Sequence, residues 1–140
     1  MMDRILVNTD EPSAHSIRLA LAEANVLGQK LKCNIVICVS NKKTVGATVL
    51  NEVISPGRIN KLVRGLSIQL TPIVTATLES DRTIGTQKGP TVVVALFAAM
   101  GMMDTIDSMP DCKAVIMLPS TAKDGIAWKE KRGARILPVD

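Results

Sequence analysis

Short runs of aliphatic and β-branched residues alternate along the chain with longer segments of helical spacing. A short apolar run bounded by turn residues is typical of a strand buried on both faces of a parallel sheet. The sequence predicts five such strands, at residues 4–9, 34–40, 72–78, 113–118 and 135–139. Because helices separate them, the connections should be right-handed crossovers. The predicted fold class is α/β: a doubly wound, mostly parallel five-stranded sheet with helices on both faces, a Rossmann-like three-layer sandwich with the first strand at its centre.

The segments between the predicted strands carry helix signals. Pro12 and Ser13 are typical helix-start residues, and the apolar residues after them recur at three- and four-residue steps. These apolar residues are Ile17, Ala20, Leu21, Ala24, Leu27 and Leu31. Residues 45–70 predict two short helices, because the Ser-Pro-Gly triplet at 55–57 ends one segment and begins another. A last short helix is predicted at residues 125–131.

The apolar segment TVVVALFAAMGMM at residues 91–103 fits two structures. Its length and its Ala and Met content favour a buried helix that begins at Pro90 or Thr91, although residues 91–94 alone are also compatible with a strand. Such a helix would either fill the core under the sheet or form a seam between subunits. We therefore expect a homodimer or a larger homo-oligomer.

The composition excludes several classes of protein. A chain of 140 residues is the usual size of one domain, so residues 1–140 are predicted to form a single α/β domain. One Phe, one Trp and no Tyr argue against a nucleic-acid partner, because single-strand and RNA binders stack bases on aromatic rings. Three cysteines without a CxxC pair fit neither a disulfide framework nor a zinc site. With no signal segment and no apolar stretch of about 20 residues, a cytoplasmic protein without membrane contact is expected.

Polar residues follow each predicted strand, and ligands of open parallel sheets bind outside the carboxyl ends of the strands. The candidates in chain order are Asp10, Glu11 and Ser13; Ser40, Asn41, Lys42 and Lys43; Ser80, Asp81 and Arg82; and Ser120, Thr121 and Lys123. With the first strand central, the first and fourth loops would flank the crevice. The predicted ligand-binding residues are therefore Asp10, Ser13, Ser120, Thr121 and Lys123, with Lys88 reaching in from the loop at residues 85–91.

Each of these residues also has a structural interpretation. Asp10 and Ser13 next to Pro12 are typical of helix caps. The Gly-flanked loop that contains Lys88 superficially suggests anion binding at a helix N-terminus, but a surface loop is the simpler interpretation. No GxxxxGK[ST] or GxGxxG motif occurs in the chain. If Asp10 faces a phosphorylated ligand, it should bind a ribose hydroxyl or a metal-bridged phosphate, since its charge repels a bare anion.

Catalytic motifs are absent from the sequence. His15 is the only histidine, and no GxSxG elbow accompanies it. Cys38 lies inside the second predicted strand, while Cys33 and Cys112 precede strands at the opposite end of the sheet, so none is placed like a nucleophile. The sequence predicts no metal site and indicates no particular cofactor.

The segment ILVNTD at residues 5–10, Ser16, Gly28 and the strand NIVICV resemble the start of a universal stress protein. The resemblance covers about the first forty residues and implies an α/β fold like that of nucleotide-binding proteins, with Asp10 on the nucleotide side. ATP-binding members carry a glycine-rich phosphate motif after the fourth strand, which PSTAKDG at residues 119–125 lacks. The opening is also similar to the sulfur-relay proteins of the DsrE type, which need a reactive cysteine in a loop after a strand.

Together these features predict a binding or regulatory module for a small anionic ligand, a nucleotide or a phosphate-bearing metabolite. Two alternatives stay open. One is a small enzyme that acts on an anionic metabolite. The other is an oligomeric assembly subunit, because the Met-rich segment at residues 100–109 suits adaptable contact surfaces.

Overall fold

The computed structural model describes residues 2–9, 13–40, 49–86 and 89–138. Within these ranges the strands are β1 (Asp3–Asn8), β2 (Asn34–Val39), β3 (Ile68–Thr71), β4 (Val74–Ser80), β5 (Thr91–Ala98), β6 (Cys112–Pro119) and β7 (Arg135–Pro138). The α-helices are α1 (Ala14–Leu31), α2 (Pro56–Val63), α3 (Met100–Asp107) and α4 (Ala122–Arg132). The strands form one sheet in the order β3-β4-β2-β5-β6-β1-β7. The predicted α/β class is confirmed.

The sheet is mostly parallel, as predicted, and among the described strands only the edge strand β3 pairs antiparallel with its neighbour. Its two faces bury separate apolar clusters. Val92 and Val94 of β5 join the cluster that packs under α1 and α2, whereas Val93 and Ala95 join the one under α3 and α4. This alternation explains why the run is apolar without a break, because each face of the strand is covered by helices.

The prediction of a buried helix from residue 91 is wrong, because residues 91–98 form β5 and a helix begins only at Met100. β5 is the fourth of the seven described strands and therefore lies at the centre of the sheet. The predicted central position of the first strand is also wrong, since β1 lies between β6 and β7, next to the edge. The predicted count of five strands misses β3 and β5.

The predicted strand at residues 72–78 is shifted in the structure. Ile73 lies in the turn between β3 and β4 and is 72% exposed. The Thr71 hydroxyl accepts hydrogen bonds from the backbone N–H groups of Ile73 and Val74, at 3.3 and 3.0 Å, and so holds this turn. Two short helices are predicted over residues 45–70, and the structure has a 3-10 helix at Val49–Glu52 and α2, whereas residues 68–70 belong to β3.

Residues 92–98 lie in a strand and not in a helix, which removes one argument for the predicted homo-oligomer. That prediction used an apolar helix as a subunit seam, but the segment is covered by other parts of the same chain, with Val92 to Leu96 completely buried. The oligomeric state therefore stays a prediction without this support. In the described ranges, no helix has the length and apolar character that crossing a membrane requires.

A buried carboxylate ties α3 to α4 and β1. The side chain of Asp107 is 0% exposed, and its Oδ1 atom lies 2.8 Å from Nε of Arg4. Its Oδ2 atom lies 3.2 Å from Nε of Arg132 and accepts a 3.0 Å hydrogen bond from the Trp128 indole. Both carboxylate oxygens therefore have charged or polar partners inside the protein.

Candidate functional site

Among the described elements, the carboxyl edge of the sheet has two places where adjacent strands lead to α-helices on opposite faces. β1 leads to α1 on one face while its neighbour β6 leads to α4 on the other. In the same way, β2 leads toward α2 and its neighbour β5 leads to α3. Loops diverge at such switch points and leave a crevice that can hold a ligand.

The first switch point, between β1 and β6, carries several of the predicted site residues as helix caps. Ser13 caps α1, since its hydroxyl accepts a 3.2 Å hydrogen bond from the Ser16 amide and its own N–H donates to Ser16 Oγ at 2.8 Å. Thr121 caps α4 by accepting from the Asp124 amide at 3.2 Å. The hydroxyls of Ser120 and Thr121 also donate to Oδ2 of Asp124, at 3.3 and 3.2 Å.

The Asp124 carboxylate therefore supplies a negative charge at the start of α4, where an external anion would otherwise bind. The pocket at this switch point has a volume of about 60 Å³, roughly the space of two water molecules. Lys123 is exposed. Asp10 and Lys88 lie outside the described residues, so the site predicted from the sequence stays a prediction.

The second switch point, between β2 and β5, holds a larger pocket of about 340 Å³. Such a volume falls within the usual range for small-molecule sites, at its lower end. Its lining residues are Ser40, Asp81, Phe97, Ala99, Gly101, Met102 and Thr105. The ends of three adjacent strands and the beginning of α3 therefore meet around one cavity.

One wall of this pocket is the first turn of α3. The N-cap residue is Ala99, which has no side-chain acceptor for the free N–H groups of the helix. The first helical hydrogen bond runs from the Met103 N–H to the Ala99 carbonyl, at 3.2 Å. The N–H groups of the residues between them have no acceptor within the helix. Gly101 adds no side chain here, and a Cβ atom at this position would have no atom within 4 Å.

Another wall carries Ser40, which follows β2, and Asp81, which follows β4. A tight turn presents Asp81: the Ser80 N–H donates to Thr83 Oγ1 at 3.1 Å, and the Arg82 N–H donates to Ser80 Oγ at 3.3 Å. Among the described residues, the Asp81 carboxylate makes no hydrogen bond or ion pair. It is exposed, so a ligand in the pocket can donate hydrogen bonds to it.

The end of β5 beside the pocket has an unusual backbone. Phe97 has a φ of 54°, in the left-handed region that bulky residues avoid. The register of β5 with β6 shifts between Leu96 and Ala98, which is a β-bulge, and the Ser120 N–H donates to the Ala98 carbonyl at 3.0 Å. Bulges and left-handed residues of this kind are frequent next to functional sites, where they redirect the chain.

The three cysteines are buried and unsuited to nucleophilic chemistry. Burial, with a smaller contribution from the nearby Asp81 and Glu79 carboxylates, raises the pKa of the Cys38 thiol to about 12. Burial likewise raises the pKa of Cys112 to about 11 and also raises that of Cys33. These thiols are therefore protonated at neutral pH, in agreement with their sequence interpretation. In the described part of the chain, no group of His, Cys, Asp and Glu side chains could hold a metal ion.

Comparison of the chain with protein-family models, with curated proteins and with solved structures finds no match. The resemblance of the first forty residues to universal stress proteins therefore stays a prediction. Sequence reasoning named Ser40 and Asp81 as strand-end residues but placed the crevice elsewhere. It missed the start of α3, because residues 91–103 were assigned to one helix. The sequence did carry a signal for a separate strand before α3, because residues 91–94 are β-branched and are also compatible with a strand.

Proposed function

We propose that this protein is a binding or regulatory module that holds a small anionic ligand in the pocket between β2 and β5. The observation that carries the proposal is the 340 Å³ pocket at a switch point of the sheet, with a helix N-terminus in its wall. The nucleotides and phosphate-bearing metabolites expected from the sequence belong to this class.

An anionic group suits the wall that α3 forms. The free N–H groups of its first turn donate hydrogen bonds, and the helix dipole adds positive potential at the same end. Because Ala99 provides no competing acceptor, the start of α3 differs from that of α4, where the Asp124 carboxylate is present. The α3 wall is the more favourable of the two for an external anion.

The lining of the pocket favours binding over catalysis. Its ionisable group is the Asp81 carboxylate, and its hydroxyl groups belong to Ser40 and Thr105. Among the described residues, neither a histidine nor a thiol lines the cavity to act as a second acid, base or nucleophile. The alternative of a small enzyme therefore has no such pair of groups among the described residues that line this pocket to support it.

Replacement of Gly101 with leucine should abolish ligand binding while the fold is kept. The position is open and lies in the first turn of α3, so the larger side chain fills the pocket without a clash and improves on the helix propensity of glycine. A thermal-shift screen of inorganic phosphate, sugar phosphates and mononucleotides measures the effect. A ligand at one hundred times its Kd stabilises the wild type by about 2.7 kcal/mol.

Gly57 provides the matched control. It also lies in the first turn of a helix, α2, where a Cβ atom would have no atom within 4 Å, and it does not line the pocket. The Gly57→Leu variant should respond to ligand like the wild type. A panel that leaves the wild type unshifted, or a Gly101→Leu variant that responds as the wild type does, would show that the proposal is wrong.

A further inference from the structure

We infer that the ligand of this pocket is a small phosphorylated polyol, such as a sugar phosphate, and that Asp81 distinguishes it from free phosphate. The inference rests on the proposed function and adds the chemical class of the ligand. It follows from the groups that line the cavity opposite the first turn of α3.

The first observation is the Asp81 carboxylate. An ionised carboxylate only accepts hydrogen bonds, and its charge repels a phosphate group. A ligand compatible with both walls therefore carries its anionic group toward α3 and hydrogen-bond donors toward Asp81. The Ser40 hydroxyl on the same side can donate or accept, which matches the hydroxyl groups of a polyol.

The second observation concerns aromatic rings and separates sugar phosphates from nucleotides. Proteins commonly hold a nucleobase by stacking it on an aromatic side chain. Phe97 is the aromatic residue in the described lining, but its ring is half-buried and packs against the apolar cluster under α1 and α2. Trp128 is 0% exposed, and the sequence has no tyrosine. A volume of about 340 Å³, at the lower end of the range for ligand sites, also favours the smaller molecule.

The test is isothermal titration calorimetry of the full chain with ribose 5-phosphate, inorganic phosphate and AMP. The wild type should bind ribose 5-phosphate at least tenfold more tightly than either of the other two. The Asp81→Asn variant should reduce the preference for ribose 5-phosphate over inorganic phosphate below about threefold, since it removes the charged acceptor and the repulsion together.

Glu79→Gln is the electrostatic control. Glu79 and Asp81 both lie close enough to act on the Cys38 thiol, but Asp81 alone of the two lines the pocket. The Glu79→Gln variant should still bind ribose 5-phosphate at least tenfold more tightly than inorganic phosphate. A similar loss in both variants would mean that long-range charge sets the preference and would overturn the role of Asp81.

The remaining outcomes separate the two proposals. If the wild type binds inorganic phosphate as tightly as ribose 5-phosphate, the polyol inference is wrong and the anion-binding function stands. If AMP binds most tightly, the ligand is a nucleotide and the inference is again wrong. If none of the three binds, both the inference and the proposed function fail.

Discussion

Replacement of Asp107 with alanine is expected to lower the free energy of unfolding by about 3 kcal/mol, because it breaks a buried ion pair. The side chain is 0% exposed and lies within 3.2 Å of the guanidinium nitrogens of both Arg4 and Arg132. Its loss leaves these charges partly buried without their counter-ion and leaves the Trp128 indole N–H without its acceptor. For a chain of this length the melting temperature should fall by about 10 °C.

Asp104 provides the control for this prediction, because it lies one turn earlier on the same helix. Its carboxylate pairs with Lys131 at 3.1 Å, but both side chains are 51% exposed. The Asp104→Ala variant should therefore lose less than about 1 kcal/mol. Chemical denaturation of the two variants measures the difference, and equal losses would contradict the assignment of Asp107 as the buried anchor.

A second large effect is expected for Leu96→Ala, which should lower the free energy of unfolding by about 3 kcal/mol. Leu96 is 0% exposed in the central strand β5, so its truncation removes apolar contacts and leaves a cavity under α1. The Leu66→Ala variant makes the same chemical change at a position that is 48% exposed. It should change the stability by less than about 1 kcal/mol.

Urea denaturation of both leucine variants provides the measurement. The comparison tests the packing of β5, the element whose prediction from the sequence was wrong. If Leu96→Ala were as mild as Leu66→Ala, residues 91–98 would not form a strand covered on both faces.

The missed strand has a physical reason. A strand that is buried on both faces carries no polar alternation, so its sequence has no period to distinguish it from a buried helix. The helix that follows begins after Ala99, a residue with no capping side chain, so no helix-start signal separates β5 from α3. By contrast, Ser13 gave the start of α1 correctly, because its capping box is local in the sequence.

The order of the strands decided how much of the site could be predicted. Local signals identified Ser40 and Asp81 as residues that follow strands, which the structure supports. Which loops become neighbours depends on pairing between distant segments, such as Ile37 beside Val94 in β5. The crevice was predicted between the first and fourth predicted strands because the first strand was expected at the centre of the sheet, where β5 lies instead.

The start of α4 carries a helix-start signal in the sequence that the prediction did not use. The helix was predicted from residue 125, whereas it begins at Ala122. Thr121 followed three residues later by Asp124 is a pattern of reciprocal capping, and the structure has the Thr121 hydroxyl and the Asp124 amide 3.2 Å apart. The position of Asp124 in this pattern also explains why the hydroxyls of Ser120 and Thr121 already have a hydrogen-bond partner within the protein.

The most direct test of the proposed site is an NMR titration of the ¹⁵N-labelled protein with ribose 5-phosphate. If the ligand binds between β2 and β5, the largest changes in amide chemical shift should occur at Gly101, Met102 and Asp81, which line that pocket. The amides of Thr121 and Asp124 at the start of α4 should change little. The largest changes at Thr121 and Asp124, with Gly101 unaffected, would place the ligand between β1 and β6 and contradict the proposed site.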